Sequence, residues 1–274
     1  MIGALKRVVR RRFPAALSAL HNYRLARRLQ SRPMRDTPLG FRFRGHEQME
    51  AGTFEPLESE IIRKYSGEGS VLVDIGANMG YFVCMARRAG SHVVAVEPMA
   101  QNLDILYANI EANGWKDIEI FPVGVGAEPG MAVLYGGGTA ASLVPNWIGT
   151  SDVWKRTIPI STMDILLGNR FEDAPMLIKI DVEGVEHLVL QGAEKTLSRT
   201  PAPRWLVEVC LTENHPDGCN PYFGDVFKIF YAHGYTARSV EAGLREVTAT
   251  DVDKWVANRR RDFGYVSYLF EKSS

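Results

Sequence analysis

Three short segments of this 274-residue chain set carboxylates and glycines at spacings that can do chemistry. Val71-Leu-Val-Asp74-Ile-Gly76-Ala-Asn78-Met-Gly80 reads as a buried strand that ends in an acid and turns through glycines into a helix. Val94-Ala-Val-Glu97-Pro98 puts a second carboxylate at the end of the next apolar run. Leu177-Ile-Lys-Ile-Asp181-Val-Glu183-Gly184-Val-Glu186-His187 brings three more within six residues. Acids at the carboxyl ends of strands face the crevice in which open α/β sheets bind ligands. Glycines there let the backbone approach a ligand closely.

The spacing narrows the ligand. A dinucleotide site has G-x-G-x-x-G with the helix start open to a pyrophosphate, whereas this turn is D-x-G-x-N-x-G with an acid just ahead of it. Asp74 would repel a diphosphate and suits a cationic amino group, such as that of S-adenosylmethionine. Glu97 can accept both hydroxyls of a ribose, which fits NAD equally well, so it is the pair of acids that is specific. In the third segment Asp181 closes a strand toward the crevice. Glu183 and Glu186 fall at the start of the next helix, where the dipole favours acids; Glu186 reads as structural, and Asp181 and Glu183 as site residues.

The elements that position these residues follow from the hydrophobic pattern. Apolar runs at Val71–Ile75, His92–Val96, Ile118–Val123, Leu177–Asp181, Trp205–Leu211, Tyr235–Val240 and Tyr265–Phe270 read as strands. Met79–Ala89, Met99–Asn113, Val185–Leu197 and Phe223–His233 carry helical spacing. The alternation predicts an α/β fold on a parallel sheet. Between Pro122 and Ile160 the rhythm breaks: Met131–Tyr135 reads as an extra strand, and Gly136-Gly137-Gly138 opens a loop whose Trp147 and Trp154 read equally as anchors or as a lid.

Together the three segments resemble the FkbM family of S-adenosylmethionine-dependent methyltransferases. The resemblance rests on Val73–Gly80, Val96–Pro98 and Ile178–Ala193, with smaller agreements at Ser142 and Ile158–Asp164, and spans roughly Glu55 to Val240. It implies a class I methyltransferase fold with a seven-stranded sheet, helices on both faces and a final antiparallel strand. It also implies methyl transfer to a hydroxyl oxygen of a sugar, glycolipid, polysaccharide or natural product. By carry-over Asp74, Gly76, Asn78, Gly80 and Glu97 would bind the cofactor, and Asp181 with Glu183 would face the acceptor. An alcohol needs a base to take its proton; Asp181, Glu183, Glu208 and His215 are the candidates, His215 for its near-neutral pKa. Asp181 and Glu208 could also supply oxygen ligands to magnesium. The acid-asparagine pair of catechol-type methyltransferases is missing, however, and no metal is expected.

Two other classes compete. An NAD-dependent oxidoreductase shares the strand, glycine turn and distal acid, but Asn78 stands in place of the second glycine. None of Tyr65, Tyr107, Tyr222, Tyr231 and Tyr235 is followed by a lysine four residues on. A non-catalytic peripheral membrane protein is the other. Residues 1–35 carry ten Lys/Arg and no acid, with leucines and valines at helical spacing, leaving 22 basic against 32 acidic residues in the rest. Such a stretch could touch an anionic membrane or pack on the acidic body. That body argues against a nucleic-acid partner.

Three scattered cysteines, with no secretory core or apolar span, fit a reducing, cytoplasmic setting. The expected division is a basic helical extension over 1–50 and a methyltransferase domain over 51–274. Nothing in the pattern argues for a particular oligomer.

Overall fold

In Val71–Ile75 every residue is buried, because the strand is covered on both faces. The computed structural model describes residue 29 and residues 31–149, 155–241 and 243–272. In chain order it forms β1 (Arg35–Asp36), β2 (Arg42–Phe43), α1 (Glu47–Glu50), α2 (Pro56–Tyr65), β3 (Val71–Ile75), α3 (Tyr81–Ala89), β4 (His92–Val96), α4 (Ala100–Ala112) and β5 (Glu119–Phe121). There follow β6 (Gly124–Val125), β7 (Gly130–Tyr135), β8 (Lys155–Ser161), α5 (Met163–Leu167), β9 (Met176–Ile180), α6 (Glu186–Gln191), α7 (Glu194–Leu197) and β10 (Arg204–Glu208). The chain closes with α8 (Phe223–Ala232), β11 (Thr236–Ser239), β12 (Glu246–Val247), α9 (Ala249–Asn258) and β13 (Ser267–Glu271).

The main sheet has eight strands in the order β12-β11-β13-β10-β9-β3-β4-β5. From β10 to β5 neighbours run parallel, and β13 is antiparallel to both β10 and β11. Apart from the two-residue edge strand β12, this is the seven-stranded sheet with a final antiparallel strand that the resemblance implies. Alternate residues feed two cores. Val71, Val73, Ile75, Ile178 and Val207 face one, whereas Leu72, Leu177 and Leu206 face the other with Phe82, Met85 and Leu106. Asp74 and Lys179 are register partners in β3 and β9, so both point into the second layer, toward α2 and α3. Strand order reverses between β3 and β9, and ligands of open α/β sheets bind at such a reversal.

Three features depart from the sequence pattern. The loop expected after Pro122 contains a small sheet, β6-β8-β7. Its strand β8 escapes a hydrophobicity reading because most of its residues are exposed and Ile158 alone is buried. The helix read over Val185–Leu197 is two, α6 and α7. Gly192 separates them where a Cβ would lie 2.1 Å from the Gly126 carbonyl oxygen, and the Gly192 carbonyl accepts the Asp164 N–H.

The division drawn at residue 50 runs through packed structure. Phe41, Phe43 and Met49 are buried in the same layer as α3 and α4. Phe41 and Phe43 meet Tyr81 edge-on at 6.3 and 5.9 Å, and Asn109 of α4 and Asn113 just after it hydrogen-bond the backbone of Arg44 and Arg42. Most of the basic stretch read as a membrane or docking helix lies outside the described residues. Among the described residues no helix is long and apolar enough to cross a membrane.

Candidate functional site

Two cavities open at the carboxyl ends of β3, β4 and β9. The smaller, about 620 Å³, is walled by Gly76, Asn78, Glu97 and Asn102 on its polar side and by Val96, Val125, Leu134 and Ile158 on its apolar side. The larger cleft, about 1420 Å³, is lined by Arg32, His46, Phe54, Glu55, Ile148 and Glu208 among others. Asn78, Thr139, Asp181 and Glu183 face both.

The turn after β3 is built by hydrogen bonds to a buried acid. Asn78, at φ 52°, donates its backbone N–H to Glu97 Oε2 at 2.8 Å, and Met99 N–H donates to Oε1 at 2.7 Å. The Asn102 side chain also acts on this carboxylate, whose two oxygens between them still have room for a further donor. Burial pushes the Glu97 carboxyl up to about 7, against the lowering effect of these amides. The glycines serve the protein itself. A Cβ on Gly76, at φ 87°, would lie 1.9 Å from the Asp181 carbonyl oxygen, and one on Gly80 would lie 2.2 Å from Leu106 Cδ1.

Of the five residues expected around a cofactor, Gly76, Asn78 and Glu97 line the smaller cavity, and Asp74 and Gly80 do not. Asp74 lies beneath it, 1% exposed, with Oδ1 lacking any hydrogen-bond partner. Burial raises its carboxyl to about 6, and Lys179 partly counters this.

Asp181 and Glu183 both reach the shared wall. Lys179, buried in β9 two residues earlier, donates to Asp181 Oδ2 at 2.8 Å. Glu183 sits at φ 57°; its Oε2 accepts the indole N–H of Trp147 at 2.5 Å, and its carbonyl accepts the Ser142 hydroxyl at 2.5 Å. Burial and then Asp181 push Glu183 up to about 7. Trp147 is therefore an anchor, 1% exposed, and its ring fills the place a Cβ on Gly184 would need; Trp154 lies outside the described residues. Glu186 turns back to accept the Gly184 N–H at 2.8 Å, the structural role read for it.

His215 is not brought to either cavity. Its ring packs edge-on against Trp147 at 5.9 Å, and Nδ1 accepts the Asp217 N–H at 3.2 Å. A loop histidine cannot be placed from spacing alone. Tyr268 and Lys272 do have a Tyr-x-x-x-Lys spacing, but Tyr268 is fully buried on β13 and neither lines a cavity.

The pattern singled out neither Glu55 nor Lys179. Glu55 reads as an ordinary helix-start acid ahead of Pro56, and Lys179 as a polar interruption in a buried run. Asp164, part of a motif, is structural, since its carboxylate accepts the N–H groups of Lys195 and Thr196 and so caps α7.

The smaller cavity suits S-adenosylmethionine: the buried Asn78 Oδ1 has no partner, an acid faces the place for hydroxyls, and apolar walls fit a base. Strand order and this site at the reversal define a class I methyltransferase. The model of the methyltransferase FkbM domain matches residues 74–237, more than half of the chain, and the chain belongs to that family, with S-adenosylmethionine as its methyl donor. No curated protein matches the chain.

Solved structures with similar folds include a precorrin-6y C5,15-methyltransferase of Geobacter metallireducens, with 10% identity, TM-score 0.39, 78% of this chain and 86% of that one covered. An rRNA methylase of Streptococcus thermophilus has 12% identity, TM-score 0.41, and 80% and 95% covered. A Streptococcus pneumoniae protein named as a candidate tRNA (m1A22) methyltransferase, solved with S-adenosyl-L-methionine, has 12% identity, TM-score 0.41, and 79% and 72% covered. Likeness this distant says nothing of the acceptor.

Proposed function

We propose that this methyltransferase acts on a hydroxyl oxygen of a sugar, glycolipid, polysaccharide or natural-product acceptor held in the larger cleft. The observation that carries the reading is the wall shared by the two cavities, where Asp181 and Glu183 face donor and acceptor at once. S-adenosylmethionine, when bound, supplies a methyl group on a positively charged sulfur.

The chain's residues do the rest. Gly76 and Asn78 would hold the donor against the β3 turn, and Glu97 would accept ribose hydroxyls with its remaining lone pairs. Asp74 would act from beneath through its charge, and Gly80 by letting α3 pack on Leu106. Holding both partners at one wall supplies proximity and orientation. Glu183, raised to about 7, is poised to take the alcohol proton at neutral pH, and Asp181, aligned by Lys179, points the acceptor oxygen. The carboxylates of the cleft, Glu47, Glu55, Asp181, Glu183 and Glu208, disfavour a phosphate backbone, which supports an acceptor other than nucleic acid.

Calorimetric titration with S-adenosylmethionine, S-adenosylhomocysteine and NAD, beside Glu97→Ala, tests the donor site. Binding of the first two, weakened at least tenfold in the variant, is expected; binding of NAD alone overturns it. Labelled methyl transfer offered to hydroxylated glycans, lipids, RNA and protein tests the acceptor, and label on RNA or protein alone overturns that part.

A further inference from the structure

Beside Asp181 the larger cleft holds two carboxylates, Glu55 and Glu208, to which the reading above gives no part in methyl transfer. One oxygen from each of Glu55, Asp181 and Glu208 lies within 4.8 Å of the other two. The three come from separate pieces of chain: the start of α2, the end of β9 and the end of β10. Glu55 is held at φ 40° and ψ 69°, and its Oε2 is shut off from solvent with no hydrogen-bond partner. The Glu208 carboxylate, largely buried, makes no hydrogen bond or ion pair among the described residues. Asp181 alone is engaged, and Lys179 occupies only its Oδ2, leaving Oδ1. Behind them Asp74, 1% exposed, has an unpartnered Oδ1 and lies near enough to act electrostatically on Glu55. Buried carboxylate oxygens without donors call for an occupant, water or ion.

We propose that Glu55, Asp181 and Glu208 form a binding site for a divalent, oxygen-seeking cation in the acceptor cleft. The donor set is all carboxylate, without histidine or cysteine, which favours magnesium, manganese or calcium over zinc. Oxygens on opposite sides of a calcium ion stand about 4.6–5.2 Å apart, and those on magnesium about 4.2 Å. The three oxygens, no more than 4.8 Å apart, are thus within the reach of a single cation of this kind. Lys179 does not fill the role, since its ammonium hydrogen-bonds Asp181 Oδ2 and leaves Glu55 Oε2 without a donor. Three protein ligands leave further positions of the ion open toward the cleft. On the acceptor reading above, one of these would take a hydroxyl oxygen.

The test uses the full-length chain, stripped with chelator and titrated with MnCl2, free Mn2+ being read by electron paramagnetic resonance. One site is expected, with affinity at least tenfold weaker in Glu208→Gln and in Glu55→Gln, and CaCl2 should displace Mn2+ from the wild type. S-adenosylhomocysteine titration of the same proteins reports folding and the donor site separately. Should one variant fail to bind it, the other carries the comparison. Mn2+ binding by the wild type no tighter than by Glu55→Gln/Glu208→Gln overturns the proposal. Loss of S-adenosylhomocysteine binding by the wild type would overturn the donor site and leave the cation result standing.

Discussion

Gly76 and Asp181 are in such close apposition that a single added methyl on the first would lie 1.9 Å from the carbonyl oxygen of the second. This contact joins the turn after β3 to the end of β9, the two pieces of chain that floor the donor cavity. Gly76 also sits at φ 87°. Gly76→Ala should therefore cost about 3 kcal/mol or more and abolish S-adenosylhomocysteine binding. Gly80→Ala meets the movable end of Leu106 and should cost about 1–2 kcal/mol. Thermal unfolding of the two variants checks the order; equal losses would contradict it.

The stability of the protein without donor should fall as pH rises. Burial holds Asp74 at about 6 and Glu97 and Glu186 at about 7, all above their ordinary values. The folded chain thus keeps protons that the unfolded chain releases. Their stabilising contribution is complete below the ordinary carboxylate range and is lost as pH rises through 6 to 7. Melting at pH 5.5 and pH 8 should show the higher Tm at the lower pH, with a smaller difference in Glu186→Gln. A higher Tm at pH 8 would sink this assignment.

The indole N–H of Trp147 holds the Glu183 proton affinity down. Trp147→Phe keeps an aromatic ring, a smaller one, and removes that donor. The acidic limb of the kcat/KM profile, measured with whichever acceptor takes label, should move to higher pH, with donor affinity unchanged. An unmoved limb would mean that Glu183 is not the base.

His215→Ala should lower turnover far less than the roughly 100-fold loss expected on removing a general base. Its ring reaches the site only through Trp147. A loss of that size, with unaltered donor affinity, would return the histidine to the chemistry.

What is legible in the sequence follows from burial. Val71–Ile75 and His92–Val96 are bounded correctly because largely apolar runs leave few alternatives, and Glu97, just after the second, marks the crevice. β8 is hidden because its outward residues are Lys155, Arg156 and Thr157. Phe41 and Phe43 are hidden among arginines, and their burial depends on α3 and α4, far along the chain. Glu55 cannot be recognised as a site residue from its surroundings, since its neighbours Asp181 and Glu208 are over a hundred residues away. The glycines stand at the expected positions but for a further reason: at Gly76 and Gly80 the crowding atoms belong to the protein.

The wall on which Asn78, Thr139, Asp181 and Glu183 face both cavities has a thermodynamic corollary. Whatever enters one chamber strips water from carboxylates that the other chamber also sees, so the two ligands cannot bind independently. A cationic donor should tighten the hold on a neutral acceptor, and by reciprocity the acceptor should tighten binding of the donor to the same free-energy extent. Loss of the positive charge on methyl transfer then loosens both products together, and turnover itself opens the way to release.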